Sequence, residues 1–406
     1  MTDEPEIEEL VDAVRAGDRG MHRLEGAVDR NRAALIRRQV LEAETDADLS
    51  AVADHSFTPE ETDGNVENLI GAAHIPMGVV GPVPIDGEQA AGSHYLPLAT
   101  TEGALLASVN RGCAVIREAG SATTRLHGSG MTRAPVFAVE DVAAAAALVE
   151  WVRDNHAALR TAAEETTDHG ELLDIDPYIV GNSVFLRFRY DTKDAMGMNM
   201  VTIATRAACE LIEAETDASL VSLSGNMCTD KKPAGINAIE GRGRSVTADV
   251  EIPRATVADR LHTTPEAIER VNIRKNLIGS AKAASLGFNA QAANVVAAAF
   301  LATGQDAAQI VEGSNVITSV EARPDALYIA VSLASLEVGT VGGGTGLPTQ
   351  AAALEVLGVH GGGDPPGANA DALAEIIATG ALAGELSLLG ALSSRHLSSA
   401  HESLGR

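Results

Sequence analysis

Two predominantly apolar helical stretches, Ala292 to Thr303 and Asp371 to Leu392, constrain what this chain can fold into more than any other feature. A helix with little polar face is stable in water only when other elements enclose it. The two therefore supply much of the core, and a chain of 406 residues, 45% hydrophobic and 21% charged, is large enough to bury them, across two or three domains. The longest uninterrupted apolar runs, such as Val295 to Ala302, fall short of the roughly 20 residues that span a bilayer. The acidic N-terminus lacks the basic start and apolar core of a signal peptide. A soluble, cytoplasmic protein that meets no membrane is the expectation.

Around those helices the pattern varies. Glu6 to Arg15 and Asn31 to Glu44 read as helices of a small N-terminal region, and Thr101 to Arg117 as a buried helix. From Pro135 to about Leu223 the chain alternates strand (Val136 to Val139), helix (Val142 to Arg160), strand (Ser183 to Tyr190), helix (Asn199 to Glu215) and strand (Ser219 to Leu223). That segment predicts a compact α+β unit. Further on, Thr264-Pro265-Glu266 carries a capping residue followed by a first-turn proline, the signature of a helix start.

Charge removes whole function classes. Asp and Glu number 56 against 30 Lys and Arg, a formal net charge of −26, which opposes binding to nucleic acid or anionic lipid. Only five lysines occur, Lys193, Lys231, Lys232, Lys275 and Lys282, a pattern like that of proteins from salt-loving organisms. Dense carboxylates repel one another in dilute buffer and are screened in molar salt, where the Debye length is ~3 Å. Cys113, Cys209 and Cys228 are odd in number and far apart, so neither a disulfide framework nor a thiolate metal site is indicated. Neither G-x-G-x-x-G nor a P-loop occurs, nor does G-x-S-x-G or H-E-x-x-H, which disfavours standard Rossmann dehydrogenases, P-loop enzymes, serine hydrolases and zinc proteases.

What remains is a set of polar clusters. Ser224 to Pro233 follows a strand-like run and holds two of the five lysines, so it offers either an ammonium for a developing oxyanion or a solvated turn. Glu102, at the start of the 101–117 helix, is suited to donating a proton if held in low dielectric, or is a first-turn acid favoured by the helix dipole. Asp306, after Gly304, is a flanked carboxylate or simply an N-cap. Asp194 to Met200 leads into a helix whose positive end can receive a phosphate, or it is Met-rich packing. The glycines from Gly342 to Gly346 admit close approach of a ligand, or form a turn, and His401 is a mobile acid or an exposed terminal residue.

Taken in order, these clusters resemble the 3-hydroxy-3-methylglutaryl-coenzyme A (HMG-CoA) reductase family, in its class I branch. The strings that carry the resemblance run from Glu67-Asn68-Leu69-Ile70-Gly71 and Ile75-Pro76-Met77-Gly78 through Ala99 to Gly103, Asn110 to Cys113, Asp194 to Met200, Ser224 to Lys232, Asn237 to Gly243, Gly304 to Gln309 and Val341 to Thr345, as far as His401. The resemblance implies that Glu102, Lys231, Asp306 and His401 are catalytic, with Lys231 stabilising the oxyanion, His401 protonating the coenzyme A thiolate, and Glu102 donating the proton in the second reduction. It implies that Arg133, Ser224, Lys232, Lys275 and Asn294 bind substrate, and that Asp194, Met198, Asn199, Gly342 and Gly343 bind NADPH. It also implies an α+β fold with a helical region at 1–62, a discontinuous large domain at 63–134 and 223–406, and a cofactor-binding insertion at 135–222. HMG-CoA, coenzyme A and mevalonate are the implied ligands, and a homo-oligomer with active sites at a dimer interface the implied assembly.

Two other readings fit the residues. A Schiff-base lyase could use Lys231 with Glu102 and Asp306 nearby, and a noncatalytic coenzyme A or nucleotide-binding module could keep the fold. The retention of all four resemblance-implied catalytic residues speaks against the second.

Overall fold

The computed structural model describes residues 7–62 and 64–394. It is a mixed helix and sheet structure in which nearly all strand pairs are antiparallel, hence α+β. Ten strands join one hydrogen-bonded network: β1 (Met77–Asp86), β2 (Gly92–Ala99), β3 (Ala122–Arg133), β4 (Val136–Ala138), β5 (Glu171–Val180), β6 (Ser183–Asp191), β7 (Ser219–Ser222), β8 (Gly243–Pro253), β9 (Val316–Ala322) and β10 (Ala326–Leu336). The central path runs β7-β4-β6-β3-β8-β10-β9, with β1 attached to β3, β2 to β1, and β5 to β6. Strand β3 belongs to both halves. Its first part, Thr123 to Gly130, pairs with β8, and its last three residues, Met131 to Arg133, pair with β6.

Three hydrophobic clusters lie among the described residues. The largest contains Leu96, Val109, Val246, Phe300, Ile329 and Leu382; a second spans Met131 to Ala218; a small third joins Leu10, Leu24, Ile36 and Val40. Helix Ala368–Ser393 crosses the largest. It is long and apolar enough to cross a membrane, yet most of it is buried inside the fold. Two of its acids explain how it seats there: the buried Glu375 accepts the backbone N–H groups of Glu88, Gln89 and Ala90, and the buried Glu385 accepts those of Ala290 and Gln291 and the Thr318 hydroxyl. Each carboxylate thus satisfies amides that would otherwise be orphaned in the interior. At Gly112, a Cβ would lie 2.0 Å from the Ala383 carbonyl oxygen, so helix Leu105–Ala119 meets this long helix backbone to backbone.

Helices Ile7–Arg15, Arg30–Thr45, Met198–Glu215, Pro265–Val271 and Ala292–Thr303 form where the sequence pattern puts them, and the Thr264 side chain does accept the Ala267 N–H. Others differ. The expected helix from Val142 to Arg160 is two, Val142–Asp154 and His156–Glu164, broken at Asn155. Strand β5 has no counterpart in the sequence reading. Residues Asn272–Gly279, around Lys275, form a π-helix, a rare element often found at functional positions.

Candidate functional site

The loop Ser224 to Lys232 leaves β7 and is backbone-strained: Asn226, Thr229 and Lys231 all have positive φ (63°, 50° and 61°), a conformation costly for residues with a Cβ. Its hold is extensive. Gly225 donates to the Ala134 carbonyl, the Lys231 N–H donates to Glu312 Oε1 at 2.5 Å, and the Lys232 ammonium turns back onto the Asp230 carbonyl at 2.8 Å. These contacts leave the half-exposed Lys231 ammonium 3.1 Å from Asp306 Oδ2. Asp306 caps the turn Ala307–Gln309 through the Ala308 N–H, so the expected cap and the expected site carboxylate are the same residue. Asp230, beside Lys231, faces Arg133 at 3.9 Å. Burial pushes the Asp230 carboxyl up, but the Gln309 hydrogen bond and the charges of Arg242, Lys231 and Arg133 hold it below its ordinary value. Ser224 Oγ lies 3.7 Å from Cys228 Sγ in the same loop.

A second group forms elsewhere. Asn294 donates to Glu102 Oε1 (3.3 Å) and to Gln291 Oε1 (3.4 Å), while the Lys275 ammonium approaches the Ala290 carbonyl (3.5 Å). Asn294 sits in the first turn of helix Ala292–Thr303, and Asp306 follows its other end. At 1.5 Å per residue, about 13 Å of helix separates Asn294 from Thr303. Within one chain, therefore, Glu102, Lys275 and Asn294 are grouped apart from Arg133, Ser224, Lys231, Lys232 and Asp306. Glu102 is also not in a helical first turn, and it is exposed in the chain alone: Ala104 takes a left-handed conformation (φ 70°) and helix Leu105–Ala119 starts after it. The low-dielectric setting expected for this acid is absent within one chain for that reason.

The residues expected to bind the cofactor converge beside Lys231. Ala195 forms a parallel bridge with Val341, and the Asp194 carbonyl accepts the Thr340 N–H at 2.7 Å, which brings the loop Asp194 to Asn199 against the glycine turn 339–346. Gln305, next to Asp306, exchanges two hydrogen bonds with the Gly339 backbone. Gly304 at φ 72° packs so closely that a Cβ would lie 2.4 Å from the Gly344 carbonyl oxygen. Gly342 and Gly343 both have positive φ and open space above them, and the exposed Asn199 lies in the first turn of the 18-residue helix Met198–Glu215. Bare backbone facing a helix N-terminus suits a dinucleotide phosphate without any G-x-G-x-x-G turn.

Asp194 stands differently from the expectation of a ligand contact. Its side chain is buried, and both oxygens are taken by four backbone N–H groups, those of Gly363, Gly367, Asn369 and Ala370, at 2.7 to 3.1 Å. It clamps the loop to the start of helix Ala368–Ser393 rather than facing outward. The Lys193 ammonium is likewise committed, to Asp191 (2.6 Å) and Glu171 (2.9 Å), so it is not a spare cation for a 2'-phosphate. His401 lies outside the described residues. Sequence reasoning missed Arg242 and Glu312, which contact Asp230 and the Lys231 N–H, and Glu337, which contacts Arg242. Arg242 lies within the string Asn237 to Gly243 and is flanked by Gly241 and Gly243 directly before a strand, but nothing in that string gives it a role.

The sequence profile described as hydroxymethylglutaryl-coenzyme A reductase matches residues 33–406. The chain belongs to that family. It is 68% identical over 397 residues to the 3-hydroxy-3-methylglutaryl-coenzyme A reductase of Haloferax volcanii and 65% identical over 399 residues to that of Halobacterium salinarum, each alignment covering 98% of both proteins. Its fold resembles that of a class II reductase from Streptococcus pneumoniae, solved with NADPH in open conformations, at TM-score 0.65 and 19% identity, over 96% of this chain and 97% of that one.

Proposed function

We propose that this reductase-family chain reduces (S)-HMG-CoA to (R)-mevalonate and free coenzyme A, consuming two NADPH by way of a hemithioacetal and mevaldehyde. The observation that carries the reading is the Lys231 ammonium, aimed from a strained loop and held 3.1 Å from Asp306, beside a cradle of bare glycine backbone. NADPH, when bound against Met198, Asn199, Gly342 and Gly343, supplies hydride. The chain's own groups do the rest. Lys231 stabilises the oxygen of the thioester carbonyl as negative charge grows on it. His401 protonates the leaving coenzyme A thiolate, and Glu102 gives a proton to the aldehyde oxygen in the second reduction. Asp194 serves the cofactor indirectly, by fixing the loop that meets it.

Arg133, Ser224 and Lys232 on one side, with Lys275 and Asn294 on the other, bind the hydroxymethylglutaryl group. Their separation within one chain supports a homodimer, or a larger assembly of dimers, in which the Glu102 group of one subunit completes the Lys231 group of its partner. The resemblance to class I strings supports placement in that branch, in which NADPH is preferred to NADH. The second hydrophobic cluster, Met131 to Ala218, supports the reading of 135–222 as an inserted cofactor unit. Three buried, unpaired cysteines suit a reducing cytoplasm.

The deciding assay is NADPH oxidation dependent on HMG-CoA, run beside Lys231→Ala, for which turnover falls by at least ~10² to 10³, the usual cost of one oxyanion donor. Absence of HMG-CoA-dependent oxidation in folded wild-type enzyme overturns the function. Borohydride trapping of substrate on Lys231 would instead establish the lyase reading.

A further inference from the structure

Behind the Lys231 loop lies a buried ionic cluster to which the family reading gives no role. Arg242 is fully buried directly before β8. Its Nη1 donates to Gln309 Oε1 (2.9 Å), Glu337 Oε1 (3.2 Å) and Glu312 Oε1 (3.3 Å); its Nη2 donates to Asp230 Oδ1 (3.1 Å) and lies 3.0 Å from Met198 Sδ. Every one of these partners but Glu337 belongs to an element that carries the site. Asp230 adjoins Lys231, and Glu312 Oε1 also accepts the Lys231 N–H. Gln309 ends the turn that Asp306 caps and donates from its own amide to Asp230 at 2.9 Å, while Met198 opens the helix at the cofactor cradle. The two terminal nitrogens of a planar guanidinium present their N–H groups in one rigid plane and hold these acceptors in a fixed arrangement, which a freely rotating ammonium cannot, while the Arg242 Nε has no partner among the described residues.

Glu337 is the remaining partner, and its situation differs from that of the others. It is fully buried, its side chain bonds only Arg242 among the described residues, and its Oε2, like that of Glu312, has no partner among them. A third carboxylate on one cation, with an oxygen facing nothing, is far less costly neutral than charged. Burial pushes its carboxyl well above the ordinary range, with Glu312 adding to the rise against the pull of Arg242.

We propose that Arg242 is a positioning residue for the reduction: through Asp230, Glu312 and Gln309 it fixes the Lys231 ammonium opposite Asp306, and Glu337 braces it from behind. The inference rests on the reading of Lys231 as the oxyanion-stabilising group. An arginine that merely stabilised the fold would change the amount of folded enzyme but not the properties of each folded molecule.

Four variants of the full-length enzyme test this: Arg242→Lys, Glu312→Gln, Glu337→Ala and Glu337→Gln, with Lys231→Ala alongside. Arg242→Lys is expected to lower kcat by about tenfold to a hundredfold while KM for HMG-CoA stays within about threefold, because charge stabilisation is realised in the transition state and not in substrate binding. Glu312→Gln, the milder change should Arg242→Lys not fold, is expected to lower kcat about three- to tenfold with the same split. Glu337→Ala also loses kcat, and Glu337→Gln recovers most of that loss. A second readout needs no turnover: in a chain with five lysines, acetylation can be followed lysine by lysine by mass spectrometry. In Arg242→Lys or Glu312→Gln the labelling rate of Lys231 rises severalfold, and that of the exposed Lys282 does not change. Folded Arg242→Lys or Glu312→Gln enzyme with wild-type kcat and wild-type Lys231 labelling overturns the proposal, as does a Glu337→Gln no better than Glu337→Ala. If Lys231→Ala itself turns over normally, the catalytic reading of Lys231 has failed; if Lys231→Ala is inactive and the Arg242 and Glu312 variants behave as wild type, only the positioning role has failed.

Discussion

Replacing Asp194 by Asn changes one atom's chemistry and nearly no volume, yet the structure predicts a large effect. The carboxylate receives four backbone N–H groups, two on each oxygen, at a site only 5% exposed. Three of those amides, from Gly367, Asn369 and Ala370, open helix Ala368–Ser393, whose cap residue Gly367 has no side chain with which to satisfy them. Asparagine keeps one oxygen and turns an NH2 toward the other pair of donors. One buried and one part-buried amide are then left without an acceptor, at about 1–3 kcal/mol for a buried group and less for the other, so roughly 3 kcal/mol is the expected loss. At 1.36 kcal/mol per decade that is over a hundredfold in a local opening equilibrium. Hydrogen exchange over residues 361–370 reads it directly, and in Asp194→Asn these amides should exchange about a hundredfold faster than in the wild type, if opening is local. The loop at 194–199 loses its anchor in the same step, so KM for NADPH should rise more than KM for HMG-CoA. Exchange within threefold of wild type across Gly363 to Ala370 would refute the reasoning.

Three further outcomes are expected. His401→Ala should slow reduction of the thioester while sparing reduction of free mevaldehyde, which has no thiolate to expel; equal damage to both substrates would give His401 another role. The net charge of −26 predicts that melting temperature and activity rise toward molar KCl or NaCl, and a melting series with its maximum in dilute buffer would remove the high-salt reading. Glu337 binds its proton more tightly in the native state than in the unfolded state, so wild-type stability drains away as pH rises from the ordinary carboxyl value of 4.5 toward the raised one. The Tm of Glu337→Gln minus that of wild type should therefore become more positive as pH rises above 4.5, and a difference that stays flat would show that Glu337 carries no such proton.

The parts of this fold that could be read from sequence are those with local causes. Helix Met198–Glu215 and the Thr264 cap follow from periodicity and capping chemistry inside a few residues. Strand β5 escaped because Pro177 argues against a strand; β5 pairs only with β6, and an edge position tolerates the missing donor. At the site, Lys231 and Asp306 were found through family strings, and the structure adds that they touch. Arg242, Glu312 and Glu337 were not found, because an arginine whose partners are 70 and 95 residues away leaves no spacing to recognise. Asp194 was found through its motif, and the coordinates add that its carboxylate holds four backbone amides: a conspicuous motif marks a place that matters, whereas only coordinates show what the side chain touches.

Strand β3 has a consequence for how the chain tolerates change in length. Arg133 is its last residue, in a register set by Gly130 against Gly243 on one ladder and by Thr132 against Arg189 on the other. Side chains alternate faces along a strand, so inserting or deleting one residue between Gly130 and Arg133 would turn Arg133 away from Asp230 unless one of two independent ladders slipped as well. The three steps from Gly130 to Arg133 act as a ruler read from both ends, and a guanidinium near Lys231 is placed by the agreement of two sheets that pack different cores.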